Sequence, residues 1–119
     1  MPVETQLNVK TRDAGGKTLI FDLSGDLTRQ GEEEMISSYT LASRRGTIKF
    51  IYNFARVGDI NSTGIAILIG IISEARKSNN QKIIVCNLNP HYEKVFKMVG
   101  LPKYIEIVSE EKQALEDRV

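Results

Sequence analysis

Four consecutive residues, Asn61-Ser62-Thr63-Gly64, lie between the β-branched and aromatic run Ile48–Phe54 and the apolar run Ile65–Ile72. This order places hydroxyls where a loop turns into a helix. There they face the positive end of the helix dipole and backbone N–H groups with no intrahelical acceptor. Two chemistries suit that position. The side chains can simply cap the helix, or a serine there can accept a phosphoryl group whose ~1.5–2 added negative charges act on whatever docks against the loop. Asn61 is a good N-cap, which puts Ser62 at the first helical position with its hydroxyl free. A phosphate at Ser62 would meet N–H donors, so the fold should survive the modification.

Other candidates for chemistry are sparse. His91, the sole histidine, follows Pro90 in the first turn of a helix, where a solvent-facing or capping role is expected and no second ligand completes a metal site. A Ser-His-Asp arrangement would need His91 beside Ser62, which spacing does not establish. Cys86, the sole cysteine, lies in a Val/Ile-rich strand and reads as a small buried apolar residue. It forbids an intramolecular disulfide and a multi-thiolate metal site. Gly25 and Gly31 open no phosphate-binding glycine loop. The pattern offers catalysis no home, no cofactor is implied, and a binding role is expected. A small-ligand pocket near Ser24, Gly25, Asp26 and Ser62 is the remaining alternative, resting on the clefts common in α/β folds.

The elements that must position these residues follow from periodicity and punctuation. Leu7–Arg12 alternates with period two, Gly15-Gly16 supplies a turn, and Lys17–Leu23 places Leu19, Phe21 and Leu23 on one face, so an antiparallel hairpin is expected. Ser24-Gly25-Asp26 should break that strand. Gly31-Glu32-Glu33-Glu34 opens a helix with carboxylates, and Arg44-Arg45-Gly46 closes it with basic residues and a glycine, both suited to the macrodipole. Ile48–Phe54 reads as a central strand, Arg56–Ile60 as a loop, and Thr63–Ser78 as a second helix. Lys82–Asn87 reads as a buried strand. Asn89-Pro90 begins a helix that Gly100-Leu101-Pro102 stops, with Val95, Phe96 and Val99 as its packing stripe. Tyr104–Val108 should be a last strand and Glu110–Arg118 a last helix. The order β-β-α-β-α-β-α-β-α favours parallel βα units after one antiparallel hairpin, an α/β sheet.

Within the second helix, Ile65, Leu68, Ile69 and Ile72 fall on one face and should pack on the sheet. Ile67 and Ile71 lie on another face. Either the neighbouring helix covers them or they form an exposed patch for a partner, which the small residues Gly64, Ala66 and Gly70 would let approach closely.

The 119 residues are 41% hydrophobic and 26% charged, as expected for one globular domain spanning residues 1–119. A formal charge of +1 gives no electrostatic case for nucleic acid or an anionic membrane. Met1–Asp13 lacks the pattern of a secretory signal, and Ile65–Ile72 is far shorter than the ~20 apolar residues of a membrane span. A cytoplasmic protein is expected.

Three stretches together resemble the STAS domain of bacterial anti-sigma-factor antagonists: Leu23-Ser24-Gly25-Asp26-Leu27, Phe50–Phe54 with the loop leading into Asn61-Ser62-Thr63-Gly64, and Asn89-Pro90 through Val95-Phe96 to Val99-Gly100-Leu101. The resemblance runs from Leu7 into the last helix. It implies a mixed sheet with helices mainly on one face. It also implies partner switching: the unphosphorylated antagonist binds an anti-sigma factor that is itself a serine kinase, phosphorylation at the position of Ser62 ends that complex, and a phosphatase restores it. Thr63 matches the second hydroxyl of the motif, which is not normally the acceptor. Asn61 and Asn53 stand where the family usually or often has aspartate, and Asp59 is the nearest carboxylate that could substitute for the first of them. On this reading the partner surface comprises Ser24, Gly25, Asp26, Asp59, Asn61, Thr63, Gly64, Ile67 and Ile71. The alternative is a STAS scaffold that assembles with itself or a larger complex without phosphorylation.

Overall fold

A computed structural model describes residues 5–116. Its elements are β1 (Asn8–Gly15), β2 (Thr18–Leu27), α1 (Glu32–Arg44), β3 (Lys49–Ile60), α2 (Ser62–Lys77), β4 (Lys82–Cys86), α3 (Pro90–Met98), β5 (Glu106–Val108) and α4 (Glu111–Leu115), with short 3-10 turns at Arg29–Gly31 and Leu101–Lys103. The five strands lie in sequence order in one mixed sheet. β1 pairs antiparallel with β2, and β2 through β5 are parallel.

That order decides where the helices go. Parallel strands added one after another in the same direction, joined by right-handed crossovers, place every crossover helix on the same face. Strand alternation sorts the side chains to match. Phe21, Leu23, Phe50, Tyr52, Phe54, Ile83 and Val85 face the large core, shared with Met35 and Tyr39 of α1, with Ile67, Leu68, Ile71 and Ile72 of α2, and with Phe96 of α3. Their intervening neighbours Ile20, Ile51, Ile84 and Cys86 form a second, smaller cluster with Val108 and Ala114 of α4. The architecture is therefore an α/β mixed sheet with helices mainly on one face.

Several elements differ from the sequence reading. β2 does not break at Ser24 but continues to Leu27, and β3 runs through Arg56–Ile60 instead of forming a loop there. The two extensions pair with each other, Ser24 opposite Arg56 and Leu27 opposite Ile60, across register shifts that absorb the glycines. β5 begins at Glu106, not Tyr104. α4 spans only Glu111–Leu115, so the expected helix ends earlier, and Arg118 lies outside the described residues. Ile69 is 47% exposed and Val99 50%, so neither belongs to the packing stripe assigned to it. Within α2 it is Ile67 and Ile71 that enter the core, at 5% and 3% exposure. The sheet and α1 flank α2 from two sides, which rotates its buried arc toward Ile67 and Ile71. As partner-binding side chains these two are corrected to core residues.

Candidate functional site

The end of β3, which leads through Asn61 into α2, is held by groups from β2 and α3. Asp26, near the end of β2, accepts the Asp59 N–H at 2.8 Å with Oδ1 and the Thr5 N–H at 2.9 Å with Oδ2. Those N–H bonds, first from Asp59 and then from Thr5, hold the Asp26 carboxyl below its ordinary pKa. Gly58 lies so close that a Cβ there would stand 2.5 Å from Asp26 Oδ1. One residue further on, the Ile60 N–H donates to the Tyr92 hydroxyl of α3 at 3.0 Å. Gly64 in the first turn of α2 packs on the chain at Leu27.

Asn61 then caps the helix as its residue type suggests. Its backbone is extended, its Oδ1 accepts the Gly64 N–H at 2.9 Å, and its carbonyl accepts the Ile65 N–H at 3.1 Å. Helix geometry leaves the N–H groups of Ser62 and Thr63 without intrahelical acceptors. Ser62 is the first helical residue and is exposed. An exposed serine thus stands at the positive end of a 16-residue helix whose entry is fixed by these hydrogen bonds.

Of the other sequence-predicted residues, Asp59 and Asn61 are exposed beside Ser62, and Thr63 is half-buried. Thr63 opens a groove of about 640 Å³ between α1 and α2, whose walls include Ile36, Tyr39, Ala66 and Gly70. Ile67 and Ile71 reach this groove only as its floor. Gly64 is buried against Leu27, and so serves the seating of α2 rather than the surface. Gly25 has φ +101° and lies against the Gln6 carbonyl, a left-handed turn with no room for a side chain. Both oxygens of Asp26 are committed to backbone donors. Gly25, Asp26 and Gly64 therefore help to seat the end of β3 and the start of α2 that carries Ser62. Ser24 lines a separate cleft of about 310 Å³ with Asn8, Lys10, Asp22, Asn53 and Arg56, and Ser62 does not line it.

His91 is exposed, and Cys86 is fully buried with its thiol pKa pushed up to about 12, chiefly by burial. No cluster of potential metal ligands and no helix long and apolar enough to cross a membrane occurs among the described residues. Tyr92 and Gly58 were missed by the sequence reading. Nothing local marks either, since one acts on a residue 32 positions away and the other through a contact with Asp26.

The model of the STAS domain matches residues 6–114. Among solved structures, the chain is similar to the anti-sigma factor antagonist SpoIIAA in its unphosphorylated form, with TM-score 0.70 and 20% identity over 89% of this chain and 92% of that one. It is likewise similar to the Bacillus cell fate determinant SpoIIAA in its phosphorylated form, with TM-score 0.69 and 23% identity over 89% and 96%. A putative anti-sigma factor antagonist from Thermotoga maritima matches with TM-score 0.76 and 14% identity over 90% and 91%. These likenesses establish the fold.

Proposed function

We propose that this chain, which belongs to the STAS-domain family, is an anti-sigma-factor antagonist: a phospho-regulated binding module rather than an enzyme, acting in the cytoplasm. The observation that carries this reading is the exposed Ser62 at the first position of α2, next to a strand end that Asp26 and Tyr92 hold and under the cap that Asn61 supplies. Its partner is an anti-sigma factor with serine kinase activity. Transfer of the ATP γ-phosphoryl group forms a Ser62 Oγ–P bond, breaks the bond to ADP, and releases the serine proton to the kinase's base. A phosphatase reverses the state by hydrolysis.

The switch acts on the surface and not on the fold. The unpaired N–H groups of the first turn and the helix dipole offset part of the new charge inside the protein. Asp59 beside Ser62 is already negative, so phosphorylation deepens a local negative field at the docking surface. That surface comprises Asp59, Ser62, Thr63 and the exposed Ala66, Ile69 and Gly70 of α2, which carries no charged residue between Ser62 and Ser73. A partner that packs apolar or acidic groups there is expelled.

The test is incubation of the full chain with each candidate anti-sigma kinase and ATP, read by intact mass and peptide mapping. One phosphoryl group on Ser62, none on Ser62→Ala, and weaker anti-sigma binding by Ser62→Asp are expected. Modification at another residue, or none with any candidate kinase, overturns the reading. A scaffold that assembles without phosphorylation is favoured by one observation, the neutral Asn61 beside the acceptor. Its other motive, an exposed Ile67/Ile71 pair, is gone because both are buried.

A further inference from the structure

A net charge of +1 conceals a separation of charge along the molecule. β2 to β5 run parallel, and α1, α2 and α3 each return across one face, so all three helix C-termini emerge at the amino ends of the strands. Each C-terminus carries its complementary cations: Arg44 and Arg45 close α1, Arg76 and Lys77 close α2, and Lys97 closes α3, Lys77 and Lys97 each bridging to a glutamate of its own helix, Glu74 and Glu93. Lys103 follows in the next 3-10 turn. The opposite pole collects the helix N-termini with Glu32, Glu33 and Glu34, and also holds Asp26 and Asp59 around Ser62. What serves each helix dipole singly adds up to a polarised molecule once the topology aligns the helices.

The basic pole is also greasy. Leu41 is 60% exposed, Met98 79%, Val99 50% and Tyr104 53%, and all four lie on the last turns of α1 and α3 or the segment after α3. Arg76 stacks on the Tyr104 ring at 4.4 Å, which joins the end of α2 to that segment. We infer that this pole docks on an anionic lipid bilayer. A nucleic acid would reward the cations but leave Met98 and Val99 in water. A bilayer surface takes both, with the cations at the headgroups, the aliphatic side chains at the acyl boundary and the tyrosine between them. Docking this way holds Ser62 about 24 Å from the surface, the length of α2, facing the solvent that a kinase must cross. The inference does not rest on the proposed function.

The test is co-sedimentation of the full chain with phosphatidylcholine vesicles and with vesicles of phosphatidylcholine mixed with phosphatidylglycerol. Binding is expected to the anionic vesicles only and to fall steeply with added salt. Arg44→Gln combined with Lys103→Gln should lower partitioning roughly 25-fold, about fivefold for each cation. Met98→Ser should lower it while leaving the salt dependence in place, and Glu33→Gln at the far pole should not lower it. All these side chains are exposed, and melting curves matching the parent would exclude misfolding. Equal binding to neutral vesicles, or none to anionic ones, overturns the inference. So does tighter binding to duplex DNA than to vesicles, or low-salt self-association without vesicle binding that the Arg44/Lys103 pair abolishes. Ser62 phosphorylation is measured separately and is indifferent to each of these outcomes.

Discussion

Gly64 sits on the carbonyl of Leu27 so closely that a Cβ at position 64 would stand 2.1 Å from the Leu27 oxygen. The same oxygen accepts the Asn61 N–H at 3.4 Å. The start of α2 is therefore seated on the end of β2, and the glycine that follows Ser62 and Thr63 is there for clearance. Position 62 can face solvent because position 64 faces the sheet.

Gly64→Ala should accordingly destabilise the protein by about 1–3 kcal/mol, the usual range for forcing a methyl group into a packed site. That range is net: the methyl group would meet a backbone oxygen and not a flexible side chain, so the strain should exceed the intrinsic gain of alanine over glycine in a helix, about 1 kcal/mol. Urea unfolding measures the balance. A variant as stable as the parent would mean that α2 shifts freely off Leu27, and the rigid presentation of Ser62 would go with it.

Asn61→Ala removes the acceptor of the Gly64 N–H and should cost about 1 kcal/mol. Asn61→Asp keeps the acceptor and adds a negative charge at the positive end of α2, so it should stabilise by about 0.3–1 kcal/mol at low salt. It also places a carboxylate directly before Ser62. Thermal melting of both variants at low and high salt checks the pair, and an Asn61→Asp gain that ignores salt would contradict the dipole argument.

Asp26 makes stability depend on acid. The N–H groups of Asp59 and Thr5 depress its folded pKa, so the unfolded chain takes up a proton first as the pH falls. Its contribution is complete above the unfolded value of about 3.9 and is lost as the pH drops through that value toward the folded one. Asp26→Asn retains an oxygen acceptor but not the charge, and should flatten the acid limb of a melting-temperature profile. Parallel profiles for parent and variant would show that the carboxylate does not hold the loop.

How much of this was legible in the sequence depended on the range of the interaction. Asn61 and Asn89 act within three residues, and both caps sit where their types place them, Asn89 Oδ1 accepting the Tyr92 N–H at 2.9 Å. Glu32–Glu34 and Arg44 likewise mark the ends of α1. The segments at Ser24–Leu27 and Arg56–Ile60 looked like breaks because glycine and aspartate disfavour isolated strands, yet each is an edge the other satisfies. Helical spacing showed that α2 has apolar faces. Which face would be buried depended on α1, and that left Ile69 outside and brought Ile67 and Ile71 in. The Asp26–Asp59 and Tyr92–Ile60 bonds span the fold and had no local signal.

The least legible link joins residues 99 apart. Arg12 of β1 donates to Asp22 of β2 and to Glu111 of α4, and Glu111 also accepts from Asn53 Nδ2 at 3.0 Å. These bonds, the Arg12 bond first, keep the Glu111 carboxyl below its ordinary pKa. The five-residue α4 packs Ala114 against the cluster that contains Cys86, so this polar clasp and one small side chain hold a cover over the second face of the sheet. Such an element should open locally, well below the cost of global unfolding. Cys86, the sole cysteine, reports it, because a buried thiol with its pKa pushed up to about 12 reacts only when uncovered. Arg12→Ala should speed Cys86 labelling by a disulfide reagent up to about fivefold, as expected for the loss of one exposed ion pair to α4, and Glu111→Gln somewhat less. Labelling should depend only weakly on urea, since a local opening exposes little surface. If its urea dependence instead equals that of global unfolding, α4 leaves only when the whole sheet does, and the clasp is a minor part of one cooperative core.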